Sequence, residues 1–357
     1  MNPRSLLRWA VLVAVVASAA TACTLFGPGT TAVIQLSATS GTVPLTITFD
    51  GTGSTGRDGV STYQWDFGDG TTSLDASGTQ TFEHAGTFTV SLTVRGEDGR
   101  TAADSATVTV SPAFWVTDEN LDQVMRLSLD GQLLDTFTLP AKEPRGVAIA
   151  TVEGLSTLIV PCANEGFQRI LYLDPATGAL RNQEEAPAQS PLEITYGATG
   201  QKMLWHVDGL SGMIYRLSPE SAQVYDSYGQ SYFKATSPAV RDVPFLWKPQ
   251  GLDWVERVNT PGYLWYLEGE TRVLWKIRII AGYDILSNTQ LEIEGDGVPL
   301  DPGIFPVTAI DFFDGKLWAV DPDRHRIVEL DPATGALTGA SITGFPGSAP
   351  TGLEIQF

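Results

Sequence analysis

The chain has 357 residues, 43% of them hydrophobic and 18% charged, which describes a folded protein of about two to three domains and excludes a disordered one. A formal charge of −19, with no basic stretch, repels phosphate backbones and sets nucleic acid aside as a partner. Its two cysteines, Cys23 and Cys162, cannot build a disulfide framework, and 36 glycines and 22 prolines favour many short strands and turns.

At the amino end, Arg4 and Arg8 precede an apolar run from Trp9 to Ala20, too short to cross a bilayer but long enough for the core of a secretory leader. Ala20-Thr21-Ala22-Cys23 follows. This tetrad resembles the lipobox of bacterial lipoproteins. The resemblance implies a lipoprotein signal peptide over 1–22, cleavage after Ala22, and lipid on Cys23, with 23–31 as a flexible tether through Gly27-Pro28-Gly29. More than one acyl chain would hold the protein stably to a membrane. Thr24 stands where an Asp would argue for inner-membrane retention, so the outer membrane is weakly favoured in a cell that has two. Ordinary secretion with cleavage near Ala22 is the alternative.

Residues 32–111 alternate apolar and polar side chains over short runs, as in Leu45-Thr46-Ile47-Thr48-Phe49 and Phe88-Thr89-Val90-Ser91-Leu92-Thr93-Val94, a pattern of half-buried strands in a two-sheet sandwich. Tyr63-Gln64-Trp65-Asp66-Phe67-Gly68-Asp69-Gly70, followed by His84-Ala85-Gly86-Thr87-Phe88-Thr89-Val90, resembles the paired signature of the polycystic-kidney-disease (PKD) domain. That resemblance implies an immunoglobulin-like sandwich acting as a non-catalytic spacer or adhesion module. Some related domains hold calcium at comparable acids, so Asp66 and Asp69 stand either as ligands of a divalent cation such as Ca or as turn caps. No other cofactor is expected.

Residues 114–357 contain an internal repeat. One strand recurs as Phe114-Trp115-Val116-Thr117-Asp118, Leu158-Ile159-Val160-Pro161-Cys162, Leu204-Trp205-His206-Val207-Asp208, Leu264-Trp265-Tyr266-Leu267-Glu268 and Leu317-Trp318-Ala319-Val320-Asp321, and Asp174-Pro175-Ala176-Thr177-Gly178-Ala179-Leu180 reappears unchanged at 331–337. A further strand precedes each copy except the first, and Gly352-Leu353-Glu354-Ile355 ends the chain with no copy after it. The carboxyl-terminal strand is therefore expected to complete the first blade and close a ring. This pattern resembles the β-propellers of the NHL, gluconolactonase-like and glutaminyl-cyclotransferase-like groups, which implies architecture rather than activity. The expectation is all-β: a PKD sandwich, then a propeller of five blades, or six if a degenerate blade is hidden in 225–249.

Asp118, Asp208, Glu268 and Asp321 end second strands, so they share one face of the expected ring with the connections 225–249 and 295–306. The first connection carries Tyr228, Tyr232, Phe233 and Trp247, and aromatics over a ring of carboxylates could stack on a sugar or grip a peptide. Turn capping by the acids and packing by the aromatics is the plainer reading. The gluconolactonase-like resemblance implies a metal held by inner Glu, Asn and Asp residues, for which Glu193, Asp253 and Glu354 are at hand, but no matching Asn is found. Gln250-Gly251-Leu252 resembles part of a glutaminyl-cyclotransferase motif, yet Tyr266 replaces its Glu. The expectation is an extracytoplasmic, lipid-anchored binding or scaffold protein of the bacterial envelope. Its partners would be the membrane and an envelope protein or polysaccharide, with no catalytic residue assigned. A metal-assisted hydrolase or lyase, lactonase-like or cyclotransferase-like, is the alternative.

Overall fold

A computed structural model describes residues 29–164, 167–197, 202–228, 233–235, 249–255, 262–269, 271–279, 291–304 and 306–356. The chain divides into two units at Pro112/Ala113. Cys23 and the expected signal peptide lie outside the described residues.

The first unit is a sandwich of eight strands: β1 (Gln35–Leu36), β2 (Ser40–Thr42), β3 (Leu45–Asp50), β4 (Val60–Asp66), β5 (Thr72–Ser73), β6 (Ser77–Phe82), β7 (Gly86–Gly96) and β8 (Thr101–Ser111). They form one sheet of order β1-β3-β6 and another of order β2-β8-β7-β4-β5. Ile47, Phe49, Trp65, Phe67, Phe82 and Leu92 fill the interior, while the alternating threonines face water. The signature turn depends on glycine at 68, where φ is +78° and a Cβ would lie 2.8 Å from the carbonyl oxygen of Thr89. Asp66 accepts the amide of Gly68 at 2.9 Å, and Asp69 accepts the amide and hydroxyl of Thr71 and the amide group of Gln80. Both acids cap turns, as short carboxylates do.

The second unit contains five sheets. Blade 1 starts with β9 (Ala113–Asp118), β10 (Gln123–Ser128) and β11 (Leu133–Thr138). Blade 2 is β12 (Ala148–Val152), β13 (Leu155–Asn164), β14 (Phe167–Leu173) and β15 (Leu180–Glu185), and blade 3 is β16 (Pro191–Gly197), β17 (Met203–Asp208), β18 (Ile214–Leu217) and β19 (Val224–Tyr228). Blade 4 gathers β20 (Phe233–Ala235), β21 (Pro249–Val255), β22 (Tyr263–Glu268), β23 (Val273–Ile279) and β24 (Leu291–Pro299). Blade 5 is β25 (Ile310–Phe313), β26 (Lys316–Asp321), β27 (Arg326–Leu330) and β28 (Leu337–Thr343). The last strand, β29 (Pro350–Gln356), pairs antiparallel with β9 and gives blade 1 the order β11-β10-β9-β29.

Each blade is sandwiched between two others, so its middle strands bury both faces: every residue of β9, β17 and β22 is buried, whereas the outer strand β15 is almost wholly exposed. Five apolar clusters fill the five seams. Trp115 and Leu158 meet between blades 1 and 2, Ile170 and Leu204 between 2 and 3, Trp205 and Trp254 between 3 and 4, Leu267 and Leu317 between 4 and 5, and Phe114 and Ile327 between 5 and 1. The duplicated turn folds the same way twice: Asp174 and Asp331 cap Ala176 and Ala333, and Gly178 and Gly335 share a φ of +69°.

The described residues form five blades, as expected; of the stretch 225–249 that could hide a sixth, residues 229–232 and 236–248 lie outside the described residues, while β19 completes blade 3 and β20 adds to blade 4 as a parallel fifth strand against β24. The expected long connection 295–306 is largely ordered: β24 runs on to Pro299 and a 3-10 turn covers Pro302–Ile304. Gly295 and Gly297, at φ +84° and +77°, let β24 pass a register shift in its pairing with β23 and continue as a strand.

Deleting residues 352–357 should strip most of the inner strand from blade 1 and expose β9, giving aggregated protein by size-exclusion chromatography. Leu353→Ala, within the buried seam to blade 5, should cost about 2–5 kcal/mol in urea unfolding.

Candidate functional site

The four acids at the ends of second strands are all buried, between 0% and 1% exposed. Asp118 Oδ1 accepts the amides of Asn120 and Leu121, each at 3.0 Å, and Oδ2 accepts those of Ser348 and Ala349. Asp208 Oδ1 accepts the amides of Ser190 at 2.9 Å and Leu210 at 3.1 Å, while Oδ2 takes the Ser211 hydroxyl at 2.6 Å. Glu268 holds the amide and hydroxyl of Thr271. Asp321 accepts the amide of Arg324, and its Oδ2 pairs with Arg324 at 3.1 Å and Arg326 at 2.8 Å. Each acid therefore caps the hairpin that follows it. Asp118 and Asp208 also fasten the segment leading into the innermost strand of their own blade. For Asp208, burial pushes the carboxyl up, but the bonds from Ser211, Leu210, Ser190 and Gln189 outweigh it and hold the group below its usual range.

Tyr228 ends β19 opposite Ile214, and Phe233 opens β20 beside Leu291, but the side chains of both lie outside the described residues, as do Tyr232 and Trp247 entirely. A cleft beside Glu268, lined also by Gln250, Arg272, Asp301 and Ile304, has a free volume of about 10 Å³, room for a single water. Tyr266, at the position of the motif Glu, is fully buried in the apolar seam between blades 3 and 4.

A second set of acids occupies the innermost strands. Glu354 Oε1 accepts the amide of Ile149 at 3.2 Å, joining blade 1 to blade 2. Glu193 Oε1 accepts the amide of Val147 at 3.4 Å, joining blade 3 to blade 2. Thr195 Oγ1 donates to Asp253 Oδ1 and accepts the amide of Trp254, both at 3.1 Å, joining 3 to 4. Asp253 Oδ2 accepts the amide of Phe312 at 2.9 Å, joining 4 to 5, and Asp311 accepts the amide of Ile355, joining 5 to 1. Every seam of the ring is thus crossed by a side-chain-to-backbone bond. Glu193, Asp253 and Asp311 are buried and Glu354 is half-buried within packed protein.

Burial, then mutual repulsion, pushes Glu193, Asp253 and Glu354 well above the usual carboxyl range, and burial raises Asp311 to about 7. Sequence reasoning reached three of these acids but not the part played by Asp311 or Thr195, since the neighbour each one meets lies on another blade. The set does not fit a divalent metal: one oxygen of each acid is taken by an amide of an adjacent blade, and among the described residues no three His, Cys, Asp or Glu side chains are grouped to hold an ion. His206 stays neutral, lowered to about 4 by burial, with Nδ1 at 2.9 Å from the carbonyl oxygen of Glu193. Cys162 is buried among apolar side chains and its thiol is pushed up to about 12, first by burial and then by Asp122. A group so raised is not a ready nucleophile.

Residues 31–111 match the family model of the PKD domain. Collagenase ColA of Bacillus cereus is 33% identical over 123 residues, covering 32% of this chain and 13% of the collagenase, so the chain spans only a small part of that relative. The PKD1 domain of the Vibrio cholerae metalloprotease PrtV is 30% identical, with a TM-score of 0.21, over 23% of this chain and 98% of that domain. A chain of a nidogen/laminin complex covers 69% of this chain and 99% of its own length, at 13% identity and a TM-score of 0.47.

Asp118→Ala should leave four amides without their acceptor and cost about 2–4 kcal/mol, while Asp118→Asn, which keeps one acceptor oxygen, should cost about half of that by urea unfolding.

Proposed function

We propose that the chain is a lipoprotein of the bacterial envelope, held to the membrane through lipid on Cys23, whose propeller is a binding or scaffold module for an envelope protein or polysaccharide. The observation that carries this reading is a pair of apolar turn tips. In blades 1 and 3 the hairpin after the second strand lifts Leu121 and Leu210 into solvent, 44% and 68% exposed. Asp118 and Asp208 hold the amides of these same two leucines, so the tips are fixed before any partner arrives. A pre-ordered apolar group loses little conformational entropy on docking, and burying a leucine contributes about 1.5–3 kcal/mol.

The PKD match supports an extracytoplasmic setting in which a spacer precedes the working unit. The leader-like run that ends at Ala20-Thr21-Ala22-Cys23 supports the anchor. Among the described residues no helix is long and apolar enough to cross a membrane. The acids of the propeller support a frame, since the hairpins and the seams both employ them.

Two experiments test the reading. Cys23→Ser in the full chain should abolish fatty-acid labelling and move the protein out of the detergent phase; retained label would sink the anchor. A photoreactive residue in place of Leu210 should give a discrete adduct in native envelopes. Leu121→Asp together with Leu210→Asp should weaken capture of that partner about tenfold, equal to about 1.4 kcal/mol, with an unchanged melting temperature. An adduct that the double substitution leaves untouched would refute the binding face.

A further inference from the structure

The innermost strands hold titratable groups that turn chemistry does not use. Four of the five carry one carboxyl each, and the fifth, β12, carries none but flanks two: the amides of Val147 and Ile149 go to Glu193 and Glu354 on either side. The acids sense one another directly. Asp311 and Asp253 both act on Glu193 and on Glu354, and Asp311 acts on Asp253.

Among the described residues no cation acts on these acids. On the packed neighbours, β17 offers His206, neutral and bonded to the Glu193 carbonyl, and Asp208; β22 offers Tyr263, Tyr266 and Glu268; β9 and β26 offer Asp118 and Asp321. Lys316, also on β26, pairs with Glu329 at 2.9 Å, and Arg145, just ahead of β12, pairs with Glu119 and Glu143. Glu193 Oε2 is buried with no hydrogen-bond partner. As a carboxylate that oxygen would be an uncompensated buried charge; as a carboxylic acid it is neutral.

We infer that Glu193, Asp253, Asp311 and Glu354 form a pH-sensitive latch: in the protonated form these carboxyls hold the blade seams closed, and their ionisation loosens the ring. A neutral carboxyl still accepts the neighbouring amide through its carbonyl oxygen, and at Asp253, where both oxygens have partners, the protonated Oδ1 donates to Thr195 Oγ1 while Oδ2 keeps the Phe312 amide, so protonation retains every bridge. Four negative charges in one ring would instead repel each other across the seams that those bridges close.

The direction with pH follows from the free acids, which ionise near 3.9 for Asp and 4.3 for Glu in an unfolded chain. The folded ring holds its protons to higher pH, Asp311 to about 7 and the other three beyond their usual range. Between those limits the folded state binds more protons than the unfolded one. The stability these acids contribute is therefore full only below about pH 4 and falls as pH rises from there, the Asp311 share being gone once pH has passed about 7.

Thermal melting of the full chain, followed by tryptophan fluorescence, tests the latch. The propeller segment contributes Trp115, Trp205, Trp247, Trp254, Trp265, Trp275 and Trp318 to that signal, against Trp65 of the sandwich. The melting temperature should fall by roughly 10 °C between pH 5 and pH 8. Asp311→Asn with Glu354→Gln should raise it at pH 8 and flatten the slope. Neutralising four exposed acids, Asp58→Asn, Asp130→Asn, Glu185→Gln and Asp314→Asn, should leave the slope as it was, which separates the ring from the general charge of −19. An equal flattening by the surface set, or a wild-type slope in the ring variant, would overturn the proposal. A measurement that needs no variant is the infrared carbonyl band of protonated carboxylic acids, which should persist in the wild-type chain at pH 7. Absence of that band would overturn it as well.

Discussion

A propeller blade has two apolar faces and cannot bury either alone, so the whole ring depends on the contact that closes it, the pairing of β29 with β9. That contact is polar as well as apolar. Trp115 Nε1 donates to Gln356 Oε1 at 3.0 Å, the hydroxyls of Thr117 and Thr351 meet at 3.1 Å, and Thr351 reaches the carbonyl oxygen of Pro144 at 2.7 Å in the approach to blade 2. Partners separated by more than 200 residues must find one another before blade 1 is complete, so the closure carries the entropy cost of a very long loop.

The propeller employs carboxylates in two opposite ways. Asp208, at the end of a second strand, meets several amides and a hydroxyl, and those donors favour the ionised form despite burial. Glu193, one strand nearer the axis, takes two amides at 3.4 Å on one oxygen and none on the other, and there burial wins. The balance of desolvation and repulsion from neighbouring acids against the bonds donated decides between a charged cap and a neutral bridge. This contrast separates what the hairpins need, a fixed anionic acceptor, from what the seams need, a polar link that leaves no charge between packed blades.

The same separation bears on function. Acids that cap hairpins hold the amides of the exposed Leu121 and Leu210, and acids that bridge seams tie blade to blade, so the two apolar tips rest on a cross-linked frame. The shared cap chemistry also explains why the repeat tolerates Asp in three blades and Glu in a fourth: the longer Glu268 still reaches the Thr271 amide of its own turn. Blade 2 has Cys162 at the corresponding place, buried at the seam with blade 1.

Much of the architecture was legible in the sequence because it is written in local patterns. The period-two alternation of 45–49, the Trp65-Asp66-Phe67-Gly68 turn and the fivefold recurrence of the second strand each follow from side chains within one or two strands, and the unpaired Gly352–Phe357 strand announced the closure. Capping by Asp118, Asp208, Glu268 and Asp321 was equally local, since each acid bonds to an amide two to three residues further on. Asp311 and Thr195 were not legible in that way. Their partners, Ile355 and Trp254, lie 44 and 59 positions away in sequence, and only the circular arrangement of the blades brings them within a hydrogen bond. Composition shows that Glu193 and Asp253 are acids; the tertiary structure alone decides that both lie within reach of Asp311 with no cation among the described residues acting on them, and that burial there favours the proton over the charge.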